Sequence, residues 1–215
     1  MQSLTAALIV SGGDPIDVDT VNRLITENLY VICADSGVLT CENLGLKADL
    51  IVGDFDSCDY RDIFGLKCAK ACEIITLNPV KDDTDTEFAI DKALEKGYKK
   101  IYLLGGIGSR MDHTLANVFL MEKCYKAGAR LVIINKNNVL HYVKNSRIDL
   151  KKSVYKYVSV IPLEDSLISN GGLKYSLDRE LMHRDSSRGI SNEFEKNEGF
   201  ITVHKGSALV IESKG

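Results

Sequence analysis

The sequence predicts a two-part protein: an α/β domain with a mostly parallel sheet and helices on both of its faces, followed by a smaller antiparallel β-sandwich. In the first part, short continuous apolar runs alternate with segments of helical periodicity, which is typical of strands buried on both faces of a parallel sheet. In the second part, segments of mixed polarity alternate with turn signals, which is typical of antiparallel strands. We therefore expect the two domains at 1–137 and 138–215.

The first domain is expected to contain buried strands and amphipathic helices in alternation. The strands are the apolar runs at 4–10, 30–34, 50–52, 74–77, 101–104 and 131–134. The helices are expected at 18–25, 38–44, 84–96 and 112–127, where apolar residues recur at helical spacing. Thr84 can cap the third helix with Glu87 as its capping-box partner, and Gly97 and Gly128 stand where the last two helices should end.

The second domain is expected to consist of strands at 139–143, 153–162, 173–183, 200–204 and 208–212. Asn170-Gly171-Gly172 and Asn197-Glu198-Gly199 are the clearest turn signals between them. A sandwich of this size buries little surface by itself, so we expect it to pack on the first domain or on a second subunit.

Composition argues against several classes of protein. The net charge is −3 and the basic residues are scattered, so no nucleic-acid partner is expected. No apolar stretch approaches the roughly 18 residues that suggest a membrane span, and no signal-peptide pattern opens the sequence. The six cysteines form no Cys-x-x-Cys pair, which favours reduced thiols in a cytoplasmic protein over a zinc site.

Aspartates follow the apolar runs of the first domain. They are Asp35, Asp54, Asp56, Asp82, Asp83, Asp85 and Asp112. The carboxyl ends of parallel strands share one edge of a sheet, where α/β proteins bind ligands, so we expect these carboxylates to form an acidic site. Their repulsion is unfavourable unless a cation offsets it, and Mg²⁺ prefers oxygen ligands of this kind. The alternatives are an Asp-rich turn at 54–57 and plain helix capping at 82–87.

A glycine-rich turn at 105–113 joins a predicted strand to a predicted helix. Its glycines permit close approach of a ligand, and amide groups at the start of the helix can bind phosphate. Arg110 can hold phosphate oxygens with two hydrogen bonds, and His113 can either orient a neighbour or simply start the helix. The turn matches neither the Walker A pattern nor Gly-x-Gly-x-x-Gly, because Met111 stands at the third glycine position. An anion-binding turn and a structural loop both remain open.

A polar segment at 186–192, with the sequence Ser-Ser-Arg-Gly-Ile-Ser-Asn, lies within the second domain. We expect Ile190 to be its buried anchor. From these residues alone, an ordinary hairpin loop is the preferred interpretation.

Five strings taken together resemble the thiamine pyrophosphokinase family in its bacterial form. They are Ala-Asp35-Ser-Gly, Gly-Asp54-Phe-Asp-Ser, Asp82-Asp-Thr-Asp, Gly105-Gly-x-Gly-x-Arg-x-Asp-His and Ser187-Arg-Gly-Ile-Ser-Asn, and they span nearly the whole chain. The resemblance implies an α/β nucleotide-binding domain followed by a β-sandwich that binds thiamine and forms a homodimer. It also implies transfer of diphosphate from ATP to the hydroxyl of thiamine, with AMP as the other product and Mg²⁺ as the cofactor.

The resemblance implies roles for particular residues. The implied metal ligands and catalytic residues are Asp54, Asp56 and Asp85, and Asp85 is our choice for the acceptor of the hydroxyl proton. The implied nucleotide-binding residues are Asp35, Gly105, Gly106, Gly108, Arg110, Asp112 and His113. The implied substrate-binding residues are Lys81, Asp82, Thr84, Ser187, Ser191 and Asn192. Two departures from the family are present, because Ser109 replaces an expected glycine and the chain has no tryptophan to stack on thiamine.

Two other functions are left open by the residues. The segment 50–57 superficially resembles the strand and Asp-x-Asp motif of haloacid dehalogenase phosphatases, which would require an aspartyl-phosphate on Asp54. That motif usually follows the first strand, whereas two predicted strands precede it here. The other alternative is a nucleotide-sensing or thiamine-binding regulator without turnover. A complete acidic site argues against it, because a pure binder gains nothing from the repulsion between carboxylates.

Overall fold

The computed structural model describes residues 5–55, 65–78 and 82–215. Contacts within the chain separate two compact units, the first ending at Lys136 and the second running from Asn137 to Gly215. Among the helices in these described ranges, none combines the length and the apolar composition that crossing a membrane requires.

Unit 1 is built on parallel strands whose carboxyl ends lie along one edge. Its described strands are β1 (Ala6–Val10), β2 (Leu29–Ala34), β3 (Leu50–Gly53), β4 (Glu73–Thr76), β5 (Lys100–Leu104) and β6 (Arg130–Ile134). They pair in parallel in the order β6-β5-β1-β2-β3-β4. Every residue of β1 is buried, as its continuous apolar run predicts for a central strand.

The strand order reverses its direction next to β1. The chain runs from β1 through β2 and β3 to β4, and then returns to place β5 on the other side of β1. Val10 is opposite both Cys33 on β2 and Leu104 on β5, so these three strands end at the same level. Connections that leave adjacent strands in opposite directions open a crevice, and α/β sheets bind ligands there. The segments that follow β1, β2 and β5 therefore surround the expected ligand site.

The described helices of unit 1 begin and end close to where the sequence predicts. They are α1 (Val18–Leu24), α2 (Gly37–Asn43), α3 (Asp85–Glu95) and α4 (Met111–Lys126). The Thr84 hydroxyl accepts a hydrogen bond from the Glu87 amide at 3.1 Å, so the predicted cap of α3 is confirmed. The Glu87 carboxylate pairs with Lys123 of α4 at 2.8 Å, so it ties two helices together and does not complete a capping box. Gly97 and Gly128 directly follow the C-caps of α3 and α4, as predicted.

Unit 2 contains two antiparallel sheets that share one core. Its described strands are β7 (Asn138–Lys144), β8 (Arg147–Lys151), β9 (Tyr157–Pro162), β10 (Ser166–Gly171), β11 (Glu180–Met182), β12 (Asn192–Glu193), β13 (Glu198–Lys205) and β14 (Ser207–Ser213). Within the unit, their orders are β12-β9-β14-β7 and β11-β10-β13-β8. The core takes Val158 and Val210 from the first sheet, and Ile168 and Ile201 from the second. The predicted fold class, a mostly parallel α/β sheet followed by an antiparallel β-sandwich, is confirmed.

Three expectations for unit 2 are wrong. The stretch 173–183 is not one strand, because it holds turns and an isolated bridge from Leu173 to Phe194 before the short strand β11. The sequence pattern also misses β8, in which only Leu150 is buried, and β10, whose buried face contains the polar residues Ser166 and Asn170. Ile190 is 48% exposed and is no buried anchor. The carbonyl of Gly189 accepts a hydrogen bond from the Val160 amide, so Gly189 takes the inner position and Ile190 faces outward.

Candidate active site

Three carboxylates converge at the carboxyl ends of β2 and β3. Asp35 is the first residue after β2, Asp54 is the first after β3, and Asp85 is the first residue of α3. One carboxylate oxygen from each lies within 4.8 Å of the other two, and all three residues are half-buried. In the described ranges, no other group of His, Cys, Asp and Glu side chains is set closely enough to hold a metal ion. We call these three residues the acidic cluster.

The backbone at the two strand ends brings the acidic cluster together. The Asp35 amide donates to the Val52 carbonyl at 2.8 Å, so the chain that leaves β2 stays paired with β3. Asp35 has a φ of +48°, in the left-handed region that aspartate tolerates better than most residues. A Cβ on Gly53 would lie 3.2 Å from the Cα of Asp35, which is tighter than ordinary packing. Glycine at position 53 therefore allows the turn at Asp35 to lie against the end of β3.

Two loops at the reversal of the strand order are joined by hydrogen bonds. The loop after β1 has the sequence Ser-Gly-Gly-Asp at 11–14, and the loop after β5 is the glycine-rich turn. Amides at positions 11, 13 and 14 donate to the carbonyls at 104, 105 and 107 over 2.7 to 2.9 Å. A Cβ on Gly13 would lie 2.2 Å from the carbonyl oxygen of Gly105, so this close approach requires glycine.

These loops and part of the acidic cluster line one cleft of about 440 Å³ within unit 1. Of the residues that the motifs single out, the cleft wall contains Asp35, Thr84, Asp85, Gly105, Gly106, Gly108, Arg110 and His113. Asp54 is not part of the cleft wall, but its carboxylate lies within 4.8 Å of those of Asp35 and Asp85, which are. The structure thus brings carboxylates and a glycine-rich turn from separate strings of the sequence to one place.

Asp112 does not join the acidic cluster and is not part of the cleft wall. Its carboxylate pairs with Arg110, with 2.6 Å between Oδ2 and Nη2, and both side chains are largely exposed. Hydrogen bonds from Arg110 and from the His113 amide lower the pKa of Asp112 to about 2. Asp112 therefore holds the guanidinium of Arg110, and an anion in the cleft would compete with it for that group.

The motifs miss part of the cleft wall, namely Ser11, Gly12, Gly13, Thr86 and Asn117. The hydroxyl groups of Ser11 and Thr86 are hydrogen-bonded at 2.8 Å, which ties the loop after β1 to α3. The Ser-Gly-Gly string after the first strand is a usable signal, but its meaning depends on β1 lying at the reversal of the strand order. Thr86 and Asn117 lie inside helices and carry no local signal at all.

The remaining implied residues of unit 1 are less informative. Asp56 and Lys81 lie outside the residues that the structure describes. Asp82 is exposed, two positions before the N-cap of α3. The hydroxyl of Thr84 is used in capping α3, although the residue also lines the cleft.

In unit 2, the implied substrate-binding residues fall into two groups. Ser187 and Ser191 are exposed, and the Ser191 amide donates to the Ser159 hydroxyl at 3.0 Å. Asn192 is buried, and its side-chain amide is used by the backbone of Tyr175. Its Nδ2 donates to the Tyr175 carbonyl at 2.7 Å, and its Oδ1 accepts from the Tyr175 amide at 3.0 Å. Asn192 therefore holds the Tyr175 loop in place.

A pocket of about 270 Å³ lies beside this segment of unit 2. Its wall contains apolar side chains from the edge of the sandwich core, including Val158 and Leu173, together with Asn192. Tyr175 and Ile190, which are 70% and 48% exposed, complete it. The pocket thus offers apolar walls and one aromatic ring.

Known proteins that resemble this chain identify its family. The family model described as "Thiamin pyrophosphokinase, catalytic domain" matches residues 21–133, and the one described as "Thiamin pyrophosphokinase, vitamin B1 binding domain" matches residues 145–208. The thiamine pyrophosphokinase of Bacillus subtilis (strain 168) is 30% identical over 209 residues, which cover 95% of this chain and 97% of that protein. The chain belongs to the thiamine pyrophosphokinase family.

Solved structures of thiamine pyrophosphokinases have the same fold. The crystal structure from Bacillus subtilis matches with a TM-score of 0.89 at 29% identity and covers 98% of this chain and 99% of that one. The structure from Geobacillus thermodenitrificans matches with a TM-score of 0.85 at 29% identity and covers 98% of each chain. The resemblance drawn from the five strings is confirmed, and so is the enzyme class, a transferase of the thiamine diphosphokinase type. The roles of individual residues stay predictions.

Proposed function

We propose that the chain transfers a diphosphoryl group from ATP to the hydroxyl of thiamine, giving thiamine diphosphate and AMP. The observation that carries this proposal is the acidic cluster, which stands on a cleft that also holds the glycine-rich turn. Phosphoryl transfer depends on positioning and on neutralising the charge of the phosphates. The turn and Arg110 supply hydrogen-bond donors for this purpose, and the acidic cluster supplies ligands for a cation.

Mg²⁺ is the proposed cofactor, because the acidic cluster fits it. Mg²⁺ binds oxygen ligands at about 2.0–2.1 Å in an octahedron, so ligands of one ion stand roughly 3–4 Å apart. The carboxylate oxygens of Asp35, Asp54 and Asp85 lie within 4.8 Å of one another and belong to strand and helix ends. Asp56 stays a proposed fourth ligand. When bound, the ion would neutralise charge on the phosphate oxygens.

The phosphates of ATP are proposed to lie against the glycine-rich turn. Gly105, Gly106 and Gly108 leave the backbone of the turn open to a ligand, since they carry no side chain to shield it. Arg110 can exchange Asp112 for phosphate oxygens, because an exposed ion pair of this kind is weak. His113 lies on the same wall and is proposed to contact the nucleotide.

Asp85 is proposed to accept the proton from the thiamine hydroxyl. Its carboxylate belongs to the acidic cluster, and the residue also lines the cleft. As the first residue of a capped helix, Asp85 has a position that does not depend on a long loop. Lys81, Asp82 and Thr84 precede it in the chain and are proposed to contact the substrate.

Thiamine is proposed to bind at the segment of unit 2 that contains Ser187, Ser191 and Asn192. The segment lies inside the range matched by the vitamin B1 binding domain. The adjacent pocket has apolar walls and the ring of Tyr175, which suit a flat heteroaromatic ligand. Because the amide of Asn192 is used by the Tyr175 backbone, we assign Asn192 the role of shaping this pocket.

The enzyme is further proposed to be a cytoplasmic homodimer. In the described ranges, all cysteines are free thiols, which suits a reducing compartment. The sandwich of unit 2 is small, and a second copy would cover more of its surface. Sedimentation at micromolar concentration measures the oligomeric state, and an active monomer would contradict the dimer.

The decisive assay mixes the protein with ATP, Mg²⁺ and thiamine and separates the products. We expect AMP and thiamine diphosphate in equal amounts, and neither product when thiamine is left out or when EDTA removes the metal. Release of ADP, or of phosphate without thiamine, would refute the proposal. A phosphorylated Asp54 would instead support the phosphatase alternative, and nucleotide binding without any turnover would support a regulator.

A further inference from the structure

Five successive carbonyl groups, from the last residue of β5 to position 108 of the glycine-rich turn, accept hydrogen bonds from the protein. Those at 104, 105 and 107 accept from the loop after β1. The carbonyl of Gly108 accepts from the Thr114 hydroxyl at 3.4 Å. The carbonyl of Gly106 accepts from a side chain, Asn117, whose Nδ2 lies 2.8 Å away. Because a carbonyl can only accept, this contact also fixes which end of the Asn117 amide is the nitrogen.

Asn117 is held by the helix that carries it. It lies on α4 on the same face as Leu120, Met121 and Cys124, all of which are buried. Asn117 itself is only 6% exposed, and it lines the cleft. Its direction is therefore set by core packing, and its hydrogen bond reaches the turn from a fixed position.

The contact determines the orientation of one peptide group. The carbonyl of Gly106 and the amide of Ile107 belong to the same planar unit and point in opposite directions. Holding the carbonyl toward Asn117 thus fixes the direction of the Ile107 N–H as well. Within the described ranges, the amides of Gly106 and Ile107 donate to no protein acceptor, and Gly106 lines the cleft.

The other end of the Asn117 side chain is also informative. Its Oδ1 has no hydrogen-bond partner in the part of the chain that the structure describes. This oxygen is not among the fully buried polar atoms that lack a partner, and Asn117 lines the cleft, so water or a ligand in the cleft can donate a hydrogen bond to it.

We propose that Asn117 is a positioning residue for the nucleotide: it fixes the Gly106–Ile107 peptide so that the turn has its binding shape before ATP arrives. The inference rests on the proposed function, in which this turn binds the phosphates. A positioning role and a merely structural role make different predictions. Loss of a structural contact would lower stability alone, whereas loss of a positioning contact would also weaken the binding of ATP and leave that of thiamine unchanged.

The test compares Asn117→Ala and Asn117→Asp with a matched control, Ile101→Val. Ile101 is fully buried in β5, so trimming it lowers stability without touching the turn. For Asn117→Ala we expect the KM for ATP to rise about tenfold, the size of one hydrogen bond to a charged group, while the KM for thiamine and kcat change less than about twofold. Asn117→Asp keeps the shape but cannot donate to Gly106 and adds a negative charge to the cleft, so its KM for ATP should rise at least as much for both reasons.

Two further measurements need no turnover. Hydrogen exchange at residues 104–110 of the free protein should quicken in Asn117→Ala and stay as in wild type in Ile101→Val. Titration with inorganic pyrophosphate should show weaker binding in the Asn117 variants only. If an Asn117 variant is less stable but keeps its KM for ATP and its binding of pyrophosphate, the inference is overturned and the proposed function still stands. A wild type that binds neither ATP nor pyrophosphate would overturn the proposed function together with the inference. If Asn117→Ala does not fold, hydrogen exchange at residues 104–110 of free Asn117→Asp decides the question, because that measurement does not depend on repulsion between the new carboxylate and a phosphate.

Discussion

Replacing Asp54 by asparagine should have opposite effects on stability and on catalysis. The substitution keeps the size of the side chain but removes one of three negative charges that lie within 4.8 Å of one another. At that separation and an effective dielectric constant of about 20, two carboxylates repel each other by about 3.5 kcal/mol. Asp54 belongs to two such pairs, and water around the half-buried side chains screens most of their combined repulsion. We expect Asp54→Asn to stabilise the metal-free protein by about 2 kcal/mol.

Addition of the metal should remove this advantage. A metal ion at a concentration of 100 times its Kd stabilises the native state by about 2.7 kcal/mol. The variant has one carboxylate ligand fewer, so it binds the ion weakly and is stabilised much less. In EDTA the variant should therefore melt about 4–8 °C above the wild type, taking roughly 2–4 °C per kcal/mol for a chain of this length. In saturating Mg²⁺ the difference should vanish. Turnover, followed by the release of AMP, should fall by a factor of about 10³ or more.

The matched control is Asp83→Asn, which removes the same charge from an exposed residue outside the acidic cluster. Its melting temperature should respond to Mg²⁺ as the wild type does, and most of the turnover should remain. The reasoning would be refuted if Asp54→Asn melted below the wild type in EDTA. It would also be refuted if that variant kept the wild-type response to Mg²⁺ together with its turnover.

Three other predictions concern the turn, the exposed ion pair and unit 2. Gly13→Ala places a Cβ 2.2 Å from the Gly105 carbonyl oxygen, so it should lose about 1–3 kcal/mol in thermal unfolding and bind ATP poorly in titrations; wild-type affinity would contradict this. The pKa of Asp112 is lowered from 3.8 to about 2, chiefly by Arg110, so the pair stabilises the folded state above pH 4 and loses this effect as the pH falls toward 2. In Arg110→Gln, the midpoint of the Asp112 titration measured by NMR should move up. An unchanged midpoint would exclude the pair as the cause of the lowered pKa. Asn192→Ala removes two hydrogen bonds to the Tyr175 backbone, so chemical denaturation should show a loss of about 1–3 kcal/mol, and a loss below about 0.5 kcal/mol would argue against the clamp.

The sequence predicts unit 1 well because its described strands, except the edge strand β4, are largely buried on both faces. Such strands read as continuous apolar runs, and the residues that follow them are easily recognised as candidates. Which candidates meet depends on the order of the strands, and that order is not local information. Asp35 and Asp54 meet because β2 and β3 are neighbours. Asp112 follows a strand in the same way, but it lies in the first turn of α4 and finds a nearer partner in Arg110.

The parts that the sequence does not predict have a different physical origin. Gly13 matters because it lacks a side chain where two loops meet, and such a requirement becomes visible only when both loops are in place. In unit 2, turns and short strands carry similar mixtures of polar and apolar residues, so the stretch 173–183 reads as a strand. Its first part is instead a turn region in which asparagine side chains outside the stretch bind the backbone of Tyr175 and Leu177. Asn170 and Asn192 both donate to the carbonyl of Tyr175, and neither contact leaves a trace in the local pattern.

The cleft of unit 1 joins two regions of opposite electrical character. Carboxylates stand at one part of its wall. At another part, the carbonyls at 104–108 already accept hydrogen bonds from the protein, and the guanidinium of Arg110 lies beside them. A triphosphate with its metal ion is itself a dipolar object, since the cation sits on one side of its anionic oxygens. Such a ligand is attracted in one orientation and repelled in the reverse one. The cleft would therefore select the metal complex over the bare nucleotide and align it on entry, before any contact with the base or with the second substrate is made.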